Sequence, residues 1–389
     1  MKLRLLVFLV GCGAAVPALP SKGGPAWLEL QSEHFTLWTD ASRDRGRELI
    51  QEMEDLRQIV VGIGFPGASG AGRSFVLALR DDDEVAAFMP GEFAAMASPA
   101  ANYIRQPMIL LAADSKRDPN QVVTAHELTH TISQSVIRNQ PRWFAEGLAK
   151  YFETIEIDRR AGTADLGRAP THRGQPIVMV SLMPLDKMFA CGDLSCTDAH
   201  FYASAWALFT FLTNRANDDL VAYEHKLNEV DDPERAWRET FGQVPLSQLE
   251  MEMRQWLAHG THKVLHYIVQ LRHWPTQERT LRDEDVYAAR ALARLQFQER
   301  RDEANALAEA ALAIDKNHVL ARVVLNEIAG TTDAGVARAL AMAHPEDWRS
   351  WWLLATALKQ GEEAAQARHA ACELIAKNPA IVPPWQPCK

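Results

Sequence analysis

The sequence predicts an α+β domain followed by an α-helical repeat region, and three observations predict it. Residues 27–114 mix short alternating strand patterns with one long amphipathic helix pattern. Residues 118–259 are almost wholly helical in pattern, and from about Asp283 the chain turns Ala-rich, with helix patterns closing at intervals. The 389 residues allow two or three domains and a sizeable core. With 41 Lys and Arg against 50 Asp and Glu, the net charge of −9 argues against nucleic acid as a partner, because neutralising phosphates needs a basic face. No interior stretch approaches the roughly 20 apolar residues of a membrane-spanning helix.

Taken in order, residues 1–20 read as a removable leader. Lys2 and Arg4 precede an apolar run over residues 5–10, the order of charge, apolar segment and small residues that marks a secretory signal. Two processing routes stay open. Leu9-Val10-Gly11-Cys12 resembles a bacterial lipobox, which would put a lipidated Cys12 at the new N-terminus, and Val16-Pro17-Ala18 offers small residues for ordinary cleavage. The expected location is the periplasm, or the outer membrane as a lipoprotein if Cys12 is lipidated, so that a lipid anchor at Cys12 is the only membrane contact expected.

Phe35, Leu37 and Trp38 then suggest a strand, residues 42–63 an amphipathic helix, residues 74–79 an alternating strand and residues 104–112 another. Asp81-Asp82-Asp83-Glu84 reads as a helix start, since acidic groups there complement the dipole and cap free amides. These residues make up the α+β part, 21–115, of a domain spanning 21–260. Its helical part, 116–260, is interrupted by residues 159–174 and by a loop holding Cys191 and Cys196. A helical linker over 261–284 leads to repeats over 285–389. There, segments beginning at Ala313, Ala343 and Ala376 each close a helix pattern. Pro345 and Pro379 stand one 34-residue tetratricopeptide period apart, with Lys316 in the equivalent place 29 residues before Pro345. Two or three degenerate helix hairpins are expected, with a plain helical bundle as the alternative. Trp348, Trp351 and Trp352 stand at helical spacing, which favours core packing over an aromatic binding surface.

Beyond Cys12, the cysteines fall into two local pairs, Cys191 with Cys196 and Cys372 with Cys388. In an oxidising compartment these read as two disulfides. A metal site from Cys191, Cys196 and His200 is the weaker reading, because the spacing is loose and no second Cys pair joins it.

His126-Glu127-Leu128-Thr129-His130 carries the chemistry. On a helix, residues four apart share a face, so the two imidazoles can meet one ion while Glu127, on the flank, can reach a metal-bound water. Asp118-Pro119-Asn120-Gln121 is a capping-box start, and Ala125, Leu128, Ile132 and Val136 form the apolar stripe that buries the helix. Asn139-Gln140-Pro141 makes a turn into a second helix. That hairpin returns Glu146 toward the histidines as a third ligand, with the fourth tetrahedral position left to water. Gly147 costs about 1 kcal/mol relative to Ala inside a helix, which implies close approach of the two helix backbones at the metal.

Together with Trp143-Phe144-x-Glu146-Gly147-Leu148-Ala149, this motif resembles the gluzincin metallopeptidases, the peptidase MA-like superfamily that holds thermolysin-type and aminopeptidase-type catalytic domains. The resemblance spans residues 27–259. It implies a zincin-like domain of a small mixed sheet plus active-site helices, with Zn2+ held by His126, His130 and Glu146 and Glu127 as general base. It also implies that the strand at 104–112 is the edge strand that pairs with substrate. A Tyr or His from a later helix often stabilises the oxyanion in such enzymes, which points to Tyr202, with His200 beside it. Tyr202 packing against Trp206 in the core is the competing reading, and His172 is a weaker candidate for the cleft. In many gluzincins an Asp four residues after the third ligand orients the first histidine; here Lys150 stands there, leaving the partner of His126 unidentified. The expected function is a zinc-dependent peptidase acting on peptide or protein substrates outside the cytoplasm, with a protein partner recruited at the helical repeats. The alternative is an inactive peptidase-like scaffold with a structural metal.

Overall fold

A computed structural model describes residues 17–66, 73–88, 95–98, 107–116, 120–172, 175–177, 181–192, 196, 198–260, 263–377 and 388. Cys12 and most of the leader, along with Asp118 and Pro119 of the expected capping box, lie outside the described residues.

The N-terminal part runs β1 (Leu28–Gln31), β2 (Phe35–Thr39), α1 (Arg43–Gly64), β3 (Ser74–Asp81), α2 (Asp82–Phe88), β4 (Ala95–Ser98) and β5 (Met108–Asp114). Local chemistry sets the helix starts. Ser42 Oγ accepts the Arg45 amide at the head of α1, and Asp81 Oδ1 accepts the Glu84 amide at the head of α2, as the acidic run implies. A helical stretch follows with α3 (Asn120–Val136) and α4 (Arg142–Phe152). After short strands β6 (Glu156–Asp158), β7 (Thr163–Leu166), β8 (Thr171–His172) and β9 (Gln175–Pro176) come α5 (Leu185–Phe189), α6 (Ala199–Arg215), α7 (Asn217–Glu229), α8 (Pro233–Phe241) and α9 (Leu246–Ala258).

Segment 261–284, expected as a helical linker, holds two strands instead, β10 (Leu265–Ile268) and β11 (Gln277–Thr280). β10 pairs antiparallel with β7, so the interruption at 159–174 becomes part of a three-stranded ribbon. β11 pairs antiparallel with β1, and Arg279 chelates Glu29 across the two strands. The chain ends in α10 (Asp283–Leu295), α11 (Arg301–Ile314), α12 (Val319–Ala329), α13 (Ala334–Ala343), α14 (Trp348–Leu358) and α15 (Glu362–Lys377). The segments at Ala313, Ala343 and Ala376 close α11, α13 and α15. Trp348 is buried, while Trp351 and Trp352 are half-buried against the core of α12 to α15.

The main sheet has the order β11-β1-β2-β3-β5-β4, with β2, β3 and β5 parallel and the outer pairings antiparallel. β5 is therefore an inner strand; among the described residues the edge beside it is β4, which pairs with it through Ala95 to Ser98. The expectation of an edge strand at 104–112 is corrected accordingly. The continuous apolar run Ile109-Leu110-Leu111 belongs to a strand covered on both faces, whereas an edge strand is short and half-covered. Alternation along β3 and β5 sends Val76, Ala78, Ile109 and Leu111 into one core with α1, α3, α4 and α6. It sends Phe75, Leu77, Leu79, Met108 and Leu110 into a second core with α10, α11 and α12.

Cys191–Cys196 and Cys372–Cys388 are disulfides. This removes Cys191 and Cys196 as ligands beside His200 and fits an extracellular or periplasmic environment. Among the described residues, no helix is long and apolar enough to cross a membrane.

Candidate metal centre

Two helices build the centre. α3 buries Ala125, Leu128 and Ile132 against the first core and turns His126 and His130 to the side that α4 approaches. Pro141 caps α4 in an extended conformation, and Trp143, Phe144 and Leu148 are buried on its inner face. The helix therefore enters as the spacing predicts and carries Glu146 to the histidines.

His126 Nε2 and His130 Nε2 are 3.1 Å apart, and Glu146 Oε2 stands 3.4 Å from the first and 3.5 Å from the second. Three ligand atoms bound about 2.0–2.1 Å from a common ion at tetrahedral angles stand about 3.4 Å from one another. These separations therefore suit zinc. Glu146 Oε2 is also buried and makes no hydrogen bond, an arrangement that leaves a lone pair for a cation. The three side chains are 12–16% exposed, so the centre stays open to solvent. Among the described residues, this is the group of three His, Cys, Asp or Glu side chains that can hold a metal.

Electrostatics point the same way. Burial opposes charge on His126, but the carboxylates of Glu146 and Glu153 more than offset it and push the imidazole up to about 10. Burial likewise opposes charge on Glu146, and the two imidazoles hold its carboxyl well below the usual range. The carboxylates of Glu146 and Glu153 thus favour positive charge at the imidazole of His126.

Glu153 was not visible in the spacing. Its Oε2 lies 2.8 Å from His126 Nδ1, so it is the partner that the missing Asp left unidentified. It sits at the end of α4, seven residues after Glu146, in the capping position. Lys150 has its ammonium on both oxygens of the Glu153 carboxylate, at 3.0 and 2.9 Å.

Gly147 has a packing reason, although the partner helix differs from the one expected. A Cβ there would lie 2.5 Å from Ala205 O and 2.9 Å from Phe209 Cβ, so the close approach is between α4 and α6, not α3. Tyr202 lies on the same helix, α6, half-buried against the first core. Burial pushes its phenol up to about 12, Glu146 and Glu127 add to the shift, and Arg142 opposes it. Its ring lies 5.8 Å from the Lys150 ammonium. His200 is exposed and its Nδ1 is taken up by Ser181. His172 falls on β8, and its side chain lies outside the described residues. Arg142 stands one turn before Glu146 on α4, where no motif marks it. It donates to Cys196 O and stacks over Phe201, joining the disulfide loop to α6.

A separate cleft of about 490 Å³ lies between the sheet and the C-terminal helices, with Trp38, Arg279, His318 and Trp348 in its walls. None of the three candidate ligands lines it.

A family model described as a protein of unknown function (DUF1570) matches residues 122–231. That span contains His126, Glu127, His130, Glu146, Glu153 and Tyr202. No curated protein matches the chain.

Proposed function

We propose that the protein is a zinc-dependent peptidase acting outside the cytoplasm, built on a zincin-like domain with tetratricopeptide-like helix pairs behind it. The observation that carries this reading is the trio of His126 Nε2, His130 Nε2 and Glu146 Oε2 at mutual distances of 3.1–3.5 Å, with Glu127 on the same helix.

Zinc bound there would supply a Lewis acid that polarises a carbonyl and acidifies water. Glu127 takes the proton of the attacking water and returns it to the leaving amine. Tyr202, a neutral phenol, would donate to the oxygen that gains negative charge. β4 packs beside α3, and its outer edge gives an extended peptide a strand to pair with, the role assigned by resemblance to residues 104–112. The helix pairs are the place for a protein partner. The signal-like order of residues 1–20 and the disulfides together support secretion to the periplasm, with lipidation of Cys12 as one route.

The test is zinc content and cleavage of a broad peptide mixture by wild type and Glu127→Gln. The expected result is one zinc per chain in both, with turnover lowered about 10²- to 10⁴-fold in the variant. Stoichiometric zinc without cleavage by wild type would replace the peptidase with the structural-metal scaffold. Absence of stoichiometric metal would remove both.

A further inference from the structure

The position at which many gluzincins carry an orienting Asp holds a lysine here, and the geometry around it is specific. Glu146, Lys150 and Glu153 follow one another at spacings of four and three, so they form one stripe of α4. Lys150 is 9% exposed and Glu153 3% exposed, which makes them a buried pair rather than a solvated one. Each charge would be costly to bury alone. The ammonium touches both Glu153 oxygens, and Oε2 is shared with His126 Nδ1 at 2.8 Å.

A carboxylate with one contact can rotate about its last bond; one gripped through both oxygens keeps its plane. The ring of His126 is held through Nδ1 by that carboxylate, so its Nε2 is aimed where His130 and Glu146 converge. Charge adds a second reason. Glu127, Glu146 and Glu153 carry one more negative charge than a divalent ion neutralises, and Lys150 places a compensating charge against Glu153. The same ammonium lies 5.8 Å from the Tyr202 ring, within cation–π range, so it also meets the helix that carries the oxyanion donor.

We propose that Lys150 is a positioning residue of the metal centre, acting on His126 through Glu153, the carboxylate that contacts its ring. This rests on the zinc reading above.

The test compares wild type with Lys150→Met and Lys150→Gln by chelator competition for zinc and by the visible absorption of the cobalt-substituted protein. The expected result is zinc affinity lowered about 10- to 100-fold in both variants, the range typical for loss of a partner behind a metal ligand. The cobalt band should shift with it, reporting altered ligand geometry that a loss of global stability alone would not produce. Lys150→Gln keeps one hydrogen bond to Glu153 and carries the test should Lys150→Met fail to fold. Zinc affinity within twofold of wild type and an unchanged cobalt band in a folded variant would overturn the proposal while leaving the zinc reading intact. A wild type that holds no zinc would instead defeat the reading on which it rests.

Discussion

A residue can be indispensable for what it lacks, and Gly147 shows this beside the candidate ligand Glu146. Alanine would gain about 1 kcal/mol of helix propensity. However, its Cβ would sit 2.5 Å from Ala205 O, a backbone atom that can move only if α4 and α6 separate. Overpacking of this kind costs about 1–3 kcal/mol. Gly62, in α1 with nothing within 4 Å of a built Cβ, has no such conflict. We expect Gly147→Ala to lower the melting temperature and weaken zinc retention, and Gly62→Ala to stabilise by about 0.5 kcal/mol. Paired thermal melts check this, and equal shifts of one sign would refute it. At this scale much of the centre was legible. His126, Glu127, His130 and Glu146 stand at spacings that helix geometry alone brings to one place. Glu153 was not legible, because it meets His126 across 27 residues of chain from the capping position of α4, just past the last residue of the helix pattern. Lys150 looked like a defect in the pattern because its partner lay three residues further on.

Between elements, Asp285 is the junction. Its carboxylate accepts from the Arg282 amide at the start of α10, from Arg279 on β11, and from His318 at the cap of α12. Burial pushes its carboxyl up, but these hydrogen bonds and the Arg279 charge more than offset that and hold it at about 2, below the ordinary 3.8. A depressed folded pKa stabilises above the unfolded value and ceases to do so as pH falls through the folded one. The shift corresponds to about 2 kcal/mol at neutral pH, roughly half of which is gone by pH 3. Asp285→Asn should therefore be less stable than wild type by about 2 kcal/mol at pH 5, with the gap narrowing by pH 3. Denaturant melts at both values check this, and a gap independent of pH would remove Asp285 as the source. The strand β11 that feeds this junction was not legible for a physical reason. Gln277, Glu278, Arg279 and Thr280 are all exposed, so no apolar alternation marks them, and their extended form is set by pairing with β1. β3 and β5, buried on both faces, announced themselves.

For the whole molecule, the Ala-rich change near Asp283 reads as a boundary between a catalytic domain and a separate tail, yet the packing joins them. One face of the sheet is covered by the helices of the candidate metal centre and the other by α10, α11 and α12. Arg290 donates to Pro17 O, and Arg294 donates to Phe88 O and stacks over its ring, so α10 is bound to the N-terminal part by polar contacts as well. The run Ile109-Leu110-Leu111 already implied this, since a strand apolar at consecutive positions needs cover on two sides. Its cover lies some 180 residues later, at a sequence distance that local patterning does not register. A chain ending at residue 260 would lose β11 from the edge of β1 and expose Trp27, Trp38, Phe75, Leu77, Leu79, Met108 and Leu110. At about 1.5–3 kcal/mol per side chain, that exposure rivals the ~5–15 kcal/mol by which a domain is stable. The expected outcome is that residues 21–260 expressed alone aggregate or melt without cooperativity and hold no stoichiometric zinc, while the chain through α12 restores a single sharp transition. A truncated 21–260 that is monomeric, melts cooperatively and retains zinc would show the sheet's second face to be dispensable, and the C-terminal helices would then be an appendage rather than half of the core.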